Sequence, residues 1–521
     1  MNRKTCLVHV PGHPLRMDDL MPQNLLARLA AVLLQEGVPV SIVDTGEPES
    51  IVDPACVEAS RSAFLPGVER ALREALSSEP ALVVLQVLHR KDVPSVRQTA
   101  ALVKKHRPET CVLLTGGYAE AYGPVLVEAD ANLDAAILYD PEVVLAEWGS
   151  SPDDKPLSEY PNLVMMRDGQ TRRGRRALAR QLDRLPLPDY SSATYPAIYQ
   201  GKKLHLFEIE HVRGGGGAPL GPIAPWSAMP LRVKSPSVCV REIEHIRHCV
   251  PTAAALHFSG AGASAQAMEH LCYELRGLDR PVRYSRDAQV GEMETLSSHS
   301  LHASGCRVLR MPLYTGSQRL LEDFFGQSHG VSQAERALQR AQRAQLFRIA
   351  EFTYPVPHDD HHTRAETLRL ISRVMPEAVS VAPAELRPES VWSDWQEAYG
   401  FQIDEHAYRA WVAPDSGMNP GVQPYRMAGW TKERMLSERD GLLQDAASLG
   451  VYAGMSACEG LVAWELELEE CLDRFSLLQH EALRHADSAS NLVRIFNERS
   501  GLPASKVAWF PFQHQLKAAS N

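Results

Sequence analysis

Cysteine occurs in this sequence but never in a cluster. There are nine cysteines in 521 residues, and no two are closer than Cys239 and Cys249, so CxxC, CxxxCxxC and zinc-ribbon spacings are all absent. Scattered single thiols fit a reduced compartment better than a disulfide framework. Long apolar runs are also missing. Its apolar runs, such as 81–85, fall far short of the roughly 18 residues that a membrane span requires. Basic charge is in deficit: 54 Lys and Arg against 64 Asp and Glu leave a net charge of -10, which argues against a phosphate-neutralising surface. The one basic stretch, Arg172, Arg173, Arg175 and Arg176, reads as a solvated loop. Neither nucleic acid nor a membrane is expected as a partner. The opening segment reaches Pro11 and Gly12 before an apolar leader is complete, and a cytoplasmic protein is the expectation. The first apolar run is followed by Val10-Pro11-Gly12-His13-Pro14 instead of GxGxxG, which removes the nicotinamide version of an α/β fold.

What is present is an ordinary globular balance, 44% hydrophobic and 23% charged, over a length that suggests roughly three domains. Residues 1–150 alternate apolar runs at 5–10, 39–44, 81–87, 111–115 and 134–138 with helical spacing at 23–36, 61–76 and 94–106. That alternation predicts a doubly wound parallel sheet with its ligand outside the carboxyl ends of the strands. Residues 151–200 read as a linker, extended at 185–190 because Pro186 and Pro188 fix φ and bias their predecessors away from helix. A second α/β series, 201–395, has strands at 204–209, 254–258, 281–285, 307–311, 349–353 and 378–382, which points to a partial (β/α)6 barrel. Ser332 with Glu335 and Thr363 with Glu366 have the spacing of capping boxes. The last region, 396–521, is expected to be mostly helical, with one long helix over 459–485.

Several local phrases, in order, resemble the class B, cobalamin-binding radical SAM family, including its peptide-maturing members. Thr115-Gly116-Gly117-Tyr118-Ala119 is similar to the glycine pair of that family's cobalamin domain, and Leu185 to Tyr190 is similar to its linker phrase ending in PDY. Residues 207–214, FEIEHVRG, resemble the phrase ETSRGC, so that Glu210 and Arg213-Gly214 match. Lys234-Ser235-Pro236, Ser304-Gly305-Cys306 and Leu313 to Gln318 resemble the family's KSP, AGC and GIESGSQ phrases, and residues 352–366 take the place of its GFPGET turn. Val379 to Pro383 and Pro388 to Trp392 resemble its closing strand and PGTPLW phrase. The resemblance spans about residues 5–405 and implies a cobalamin-binding domain followed by a radical SAM barrel.

The departures fall on the chemistry. A [4Fe–4S] cluster of this kind is held by cysteine thiolates. The three ligand positions fall on Gly215, Pro219 and Pro222 at the common spacing, or on Gly215, Ile223 and Trp226 at a longer one. Glycine and proline side chains do not ligate iron, so no cluster is expected. The acid of the GIES phrase falls on Tyr314 and the PGE turn becomes Tyr354 to Pro357, which weakens the case for S-adenosylmethionine. Phe258 to Gly262 reads as a plain turn more readily than as a ligand contact. The cobalamin motif DxHxxG is absent, although the resemblance does not demand it. The fold it implies turns the loops after the first, third and fourth strands toward the corrin, nominating His13, Gln86, His89, Gly116, Gly117 and Tyr118. For His89 a surface position beside Arg90 and Lys91 is the competing reading.

One other group stands out, His358-Asp359-Asp360-His361-His362. His358, Asp360 and His362 offer nitrogen and oxygen to a divalent metal. Adjacent residues of one loop rarely converge on one ion, and a solvated polar loop is the favoured reading. Three functions follow. The first is a cobalamin-binding protein doing cluster-independent chemistry such as methyl transfer on a small molecule or peptide, in natural-product or peptide modification. The second is a pseudoenzyme that binds a substrate or a pathway enzyme, and the third a metal-dependent hydrolase.

Overall fold

In the computed structural model, residues 4–51, 66–151, 155–214, 229–388, 390–414, 423–427 and 430–501 are described. The first half is built on a seven-stranded sheet. Its strands β1 (Thr5–His9), β2 (Val40–Asp44), β3 (Leu82–Gln86), β4 (Cys111–Thr115) and β5 (Ala135–Ile137) are parallel, in the order β2-β1-β3-β4-β5. Leu82 to Leu85 are each at most 1% exposed. Such a continuous apolar run is what a strand covered on both faces needs. Alternate residues feed two layers. Leu7, Leu82, Val84 and Leu113 meet the helices Asn24–Gln35 and Pro141–Ser150, whereas Val8, Val83, Leu85 and Leu114 meet Pro66–Leu76, Val93–His106 and Gly117–Ala129. A leucine-to-alanine change in either layer costs about 2–5 kcal/mol.

The presumed linker does more than connect. Residues Leu163–Arg167 (β6) and Gln170–Arg173 (β7) form an antiparallel hairpin that extends the first sheet past β5. The basic stretch begins on that edge strand, exposed to solvent as expected. Tyr190 and Tyr195 then sink between the two halves. Asn24 Nδ2 donates to the Tyr190 hydroxyl at 3.1 Å, and Tyr190 packs edge-on against Phe207 at 5.1 Å.

The second sheet has all six expected parallel strands, β8 (Leu206–Glu210), β11 (Ala255–Ser259), β12 (Arg283–Asp287), β13 (Cys306–Tyr314), β14 (Phe347–Thr353) and β15 (Ala378–Ala382). Between β8 and β11 lies a two-stranded ribbon, β9 (Val212–Arg213) with β10 (Arg232–Val233). A short β18 (Tyr452–Ala453) adds a seventh strand beside β15, so the C-terminal region completes the barrel sheet as well as covering it. Another small pair, β16 (Phe401–Ile403) with β17 (Tyr425–Met427), closes over an aromatic cluster around Phe324 and Trp392.

Three local expectations are corrected. The helix Val331–Arg343 is capped by Gly330 and Gln333, two residues earlier than Ser332 and Glu335, with Gly330 N donating to Gln333 Oε1 at 2.6 Å. The helix His361–Val374 is capped by Asp360, not Thr363, because the carboxylate accepts from both His362 N and Thr363 N. The long helix over 459–485 is broken in two, Ala457–Glu465 and Leu472–Ala482, at Glu467, whose φ of 57° lies outside helical space. Among the described residues, no helix is long and apolar enough to cross a membrane.

Candidate cofactor cavity between the two sheets

The carboxyl ends of β3 and β4 face the mouth of the barrel across a cavity of about 470 Å³. Gln86, Leu88, His89, Gly116 and Gly117 line it from the first sheet, and Glu208, Glu210, Arg213, Gly214 and His257 from the second. The segment Asp18 to Leu25 and Cys458 close the sides. This is where an open parallel sheet binds its ligand, just outside the strand ends.

The glycine pair shapes the floor. Gly116 has φ 98°, and a β-carbon there would lie 2.7 Å from the Val87 carbonyl oxygen, so only glycine makes this turn. Gly117 begins the helix Gly117–Ala129, and a β-carbon on it would meet nothing within 4 Å. Its face is therefore open for a ligand to approach the backbone. His89 follows β3, and burial, reinforced by Arg16, pushes its imidazole down to about 4. It is neutral at physiological pH and able to offer a nitrogen lone pair.

On the barrel side, alternation along β8 decides which side chains face in. Phe207 and Ile209 are fully buried in the core, which leaves Glu208 and Glu210 on the cavity face. Glu210 is held by Arg28 at 2.7 Å and by Arg213, whose Nε donates at 2.7 Å. Arg28 and Arg213 also grip Glu142, at 2.5 and 2.7 Å, and Arg213 reaches Asp140 at 3.1 Å. Arg232, on β10, pairs with Asp140. Three arginines thus meet three carboxylates across the boundary between the halves. Burial would raise the carboxyls, but Arg213 and Arg28 hold Glu142, and Arg28 and Arg213 hold Glu210, below the usual range. The phrase that resembles ETSRGC therefore carries an interdomain brace.

Other groups in the cavity lack such partners. Among the described residues, no hydrogen bond or ion pair reaches the carboxylates of Glu208 and Glu120, and the buried Oδ1 of Asp18 has no hydrogen-bond partner. Burial, with Glu459 and Asp19 adding, pushes Asp18 up to about 7. Burial also pushes Glu120 up to about 8, against the pull of Arg213 and with Glu142 adding. His257 shares a 3.0 Å hydrogen bond between its Nδ1 and Ser285 Oγ.

The residues nominated from sequence divide. Gln86, His89, Gly116 and Gly117 come together on the cavity floor. His13 and Tyr118 do not join them. His13 lies outside the cavity lining, with burial and then Lys91 lowering its imidazole. Tyr118 is 6% exposed and turns the other way: its hydroxyl donates to the Val412 carbonyl at 2.9 Å and its ring meets Tyr122 at 4.5 Å, docking the helix Glu405–Val412. Gly215, Pro219 and Pro222 lie outside the described residues. His358, Asp360 and His362 do not form a centre, because Asp360 is spent as a helix cap, and among the described residues no group of three or more metal-ligating side chains converges. Tyr314, in place of the GIES acid, packs on Phe325 at 5.2 Å. In the turn after Phe258, a β-carbon on Gly260 would lie 2.0 Å from the Val212 carbonyl oxygen, so close backbone crossing accounts for that glycine.

Sequence reasoning missed Asp18, Gln23, Arg28, Glu120, Asp140, Glu142, Glu208 and His257. Two signals were available: Arg28 interrupts the apolar helix NLLARLAAVLLQ, and Glu208 and Glu210 share one face of a strand.

No protein-family model matches the sequence, and no curated protein matches it. Solved structures do match. The radical S-adenosylmethionine methyltransferase TsrM from Kitasatospora setae, with cobalamin and a [4Fe-4S] cluster bound, superposes with a TM-score of 0.65 at 15% identity over 94% of this chain and 100% of that one. The chain has the fold of the cobalamin-dependent radical SAM enzymes. TsrM with tryptophan and the analogue aza-SAM gives a TM-score of 0.61 at 15% identity over 86% and 89% of the two chains. The cobalamin-dependent S-adenosylmethionine radical enzyme OxsB, with aqua-cobalamin and S-adenosylmethionine bound, gives 0.58 at 13% identity over 71% of this chain and 52% of that one. The two-sheet arrangement described above is therefore that of this fold, with the cavity at the junction of its two halves.

Proposed function

We propose that the cavity binds cobalamin, and that the chain acts without an iron–sulfur cluster, in methyl transfer or related cobalamin chemistry on a small molecule or peptide. The observation that carries this is the floor made by Gly116 and Gly117, open above Gly117 and set at the carboxyl edge of the first sheet. Both TsrM and OxsB bind cobalamin, and their fold is this one. Gly116, Gly117 and His89 would hold the cofactor, with Gln86 at the boundary toward residues 18–24. Bound there, cobalamin supplies a cobalt centre able to carry a methyl group.

The chain's own part is to shape and poise the chamber. Gly117 keeps the backbone bare, His89 presents a neutral imidazole, and the brace of Arg28, Arg213 and Arg232 with Asp140, Glu142 and Glu210 fixes the distance between the halves. A [4Fe–4S] cluster does not fit the donors present. Residues 215–228 contain no cysteine, histidine, aspartate or glutamate, and burial pushes the nearest thiol in sequence, Cys239, up to about 12. No step is assigned to a cluster. S-adenosylmethionine is left as a candidate methyl source only, since Tyr314 replaces an acid in the phrase that resembles GIES.

Titrating the purified full chain with hydroxocobalamin and following the corrin absorbance tests the proposal. Saturable binding that survives gel filtration is the expected result, and a colourless protein after filtration sinks it. A second reading, a binding partner without turnover, draws on the same substitution at Tyr314. Methyl transfer to any acceptor by the loaded protein removes that reading.

A further inference from the structure

Two buried side-chain oxygens that line the 18–24 side of the cavity, Gln86 Oε1 and Asp18 Oδ1, have no hydrogen-bond partner among the described residues. Gln86 is 2% exposed, lines the cavity, and its Oε1 has no hydrogen-bond partner. Its orientation is fixed by a relay. Gln23 Nε2 donates to the carbonyls of Met21 at 3.1 Å and Asp18 at 3.4 Å, and a carbonyl only accepts, so Gln23 must turn its oxygen toward Gln86. Gln86 Nε2 donates to that oxygen at 3.3 Å, which leaves Gln86 Oε1 as the free atom. A buried acceptor without a donor is costly to keep, and one that lines a cavity is placed to accept a hydrogen bond from what enters it.

The acids around it lack cationic partners as well. Among the described residues, Asp18 Oδ1 is unpartnered and no cation pairs with Glu208 or Glu120, because Arg28, Arg213 and Arg232 are engaged by Glu142, Glu210 and Asp140. Among the described residues, no lysine lines the cavity. A bound cation takes the place of the protons that burial otherwise keeps on Asp18 and Glu120, whereas an anion finds no unengaged cation to meet among the described residues.

We propose that the cavity accepts the protonated amine or guanidinium of its substrate, seated between Asp18, Gln86 and Glu208. This rests on the reading that the cavity is the reaction chamber, and it gives the class of group that enters. A free diamine and a lysine side chain of a peptide share this chemistry.

The test is calorimetric titration of the full chain, with and without hydroxocobalamin, using agmatine and cadaverine as cationic probes. A short lysine-containing peptide with capped ends is the peptide arm, and glutarate and 1,5-pentanediol are the controls. The expected result is saturable binding of the cationic probes alone, weakened tenfold or more in the double variant Asp18→Asn, Glu208→Gln. Thermal unfolding of that variant confirms that it is folded, and Gln86→Leu provides an independent uncharged lesion with a smaller loss. Peptide binding without diamine binding assigns the site to peptides, and the reverse to small amines. Equal binding of glutarate, unchanged amine affinity in the folded double variant, or no amine binding at all overturns the proposal. Amine binding without cobalamin binding leaves it standing and overturns the cobalamin reading instead.

Discussion

Glu208 and Glu210 stand two residues apart on one strand and face one cavity, yet their surroundings are opposite. Glu210 belongs to a brace in which three arginines and three carboxylates balance across the two halves of the chain. Glu208 belongs to a wall of acceptors that the protein leaves unanswered. Buried charge that is paired and hydrogen-bonded is architecture. Buried acceptors without partners are tolerated only where something else comes to meet them.

The largest effect expected from this contrast is on Arg213. Arg213→Met leaves Glu142 and Glu210 with one guanidinium between them and should cost about 3–5 kcal/mol, read from urea unfolding. Glu208→Gln, by contrast, should leave stability unchanged or slightly raised. Equal losses for the two variants break the distinction.

The glycine pair offers the next test. Gly116→Ala forces a β-carbon onto the Val87 carbonyl at positive φ and should cost about 1–3 kcal/mol. Gly117→Ala should fall within about 0.5 kcal/mol of the parent. Gly117→Leu should stay folded and lose corrin binding in gel filtration, because its side chain fills the open face. Retained binding removes Gly117 from the cofactor floor.

Stability against pH comes third. The folded-state pKa of Asp18 is raised from 3.8 to about 7 and that of Glu120 from 4.5 to about 8. The folded state therefore binds these protons more tightly than the unfolded chain. Their favourable contribution is complete below the unfolded values and is lost as pH rises through about 7 and 8. The urea midpoint should fall across that window, and Glu120→Gln should flatten the fall. A midpoint rising over the same interval contradicts the desolvated setting of both acids. The smallest effect is expected at Tyr118, where Tyr118→Phe removes one hydrogen bond to Val412 and should cost about 0.5–1.5 kcal/mol without touching corrin binding.

Much of the fold was legible because its strands are short apolar runs of the length a doubly covered sheet requires. The six barrel strands and the five parallel strands of the first sheet all appear where periodicity placed them. The hairpin at Leu163–Arg173 was hidden because β7, QTRR, is an exposed edge strand with no apolar face. The break at Glu467 depends on a left-handed residue that periodicity does not register. In the site, the glycine pair and Gln86 could be read because loops after parallel strands must face the ligand. His13 and Tyr118 satisfied the same rule, but Tyr118 already lies one residue into a helix and points to its far side. The brace was illegible: its members come from residues 28, 140, 142, 210, 213 and 232, and only folding brings them together.

The proposed chamber binds cobalamin and works without an iron–sulfur cluster. Anaerobic reconstitution with hydroxocobalamin, iron and sulfide together, followed by counting corrin and iron per chain after desalting, tests it most directly. One corrin per chain with no four-iron cluster is the predicted result. Four irons per chain with cluster absorbance, or a chain that emerges without corrin, would contradict it.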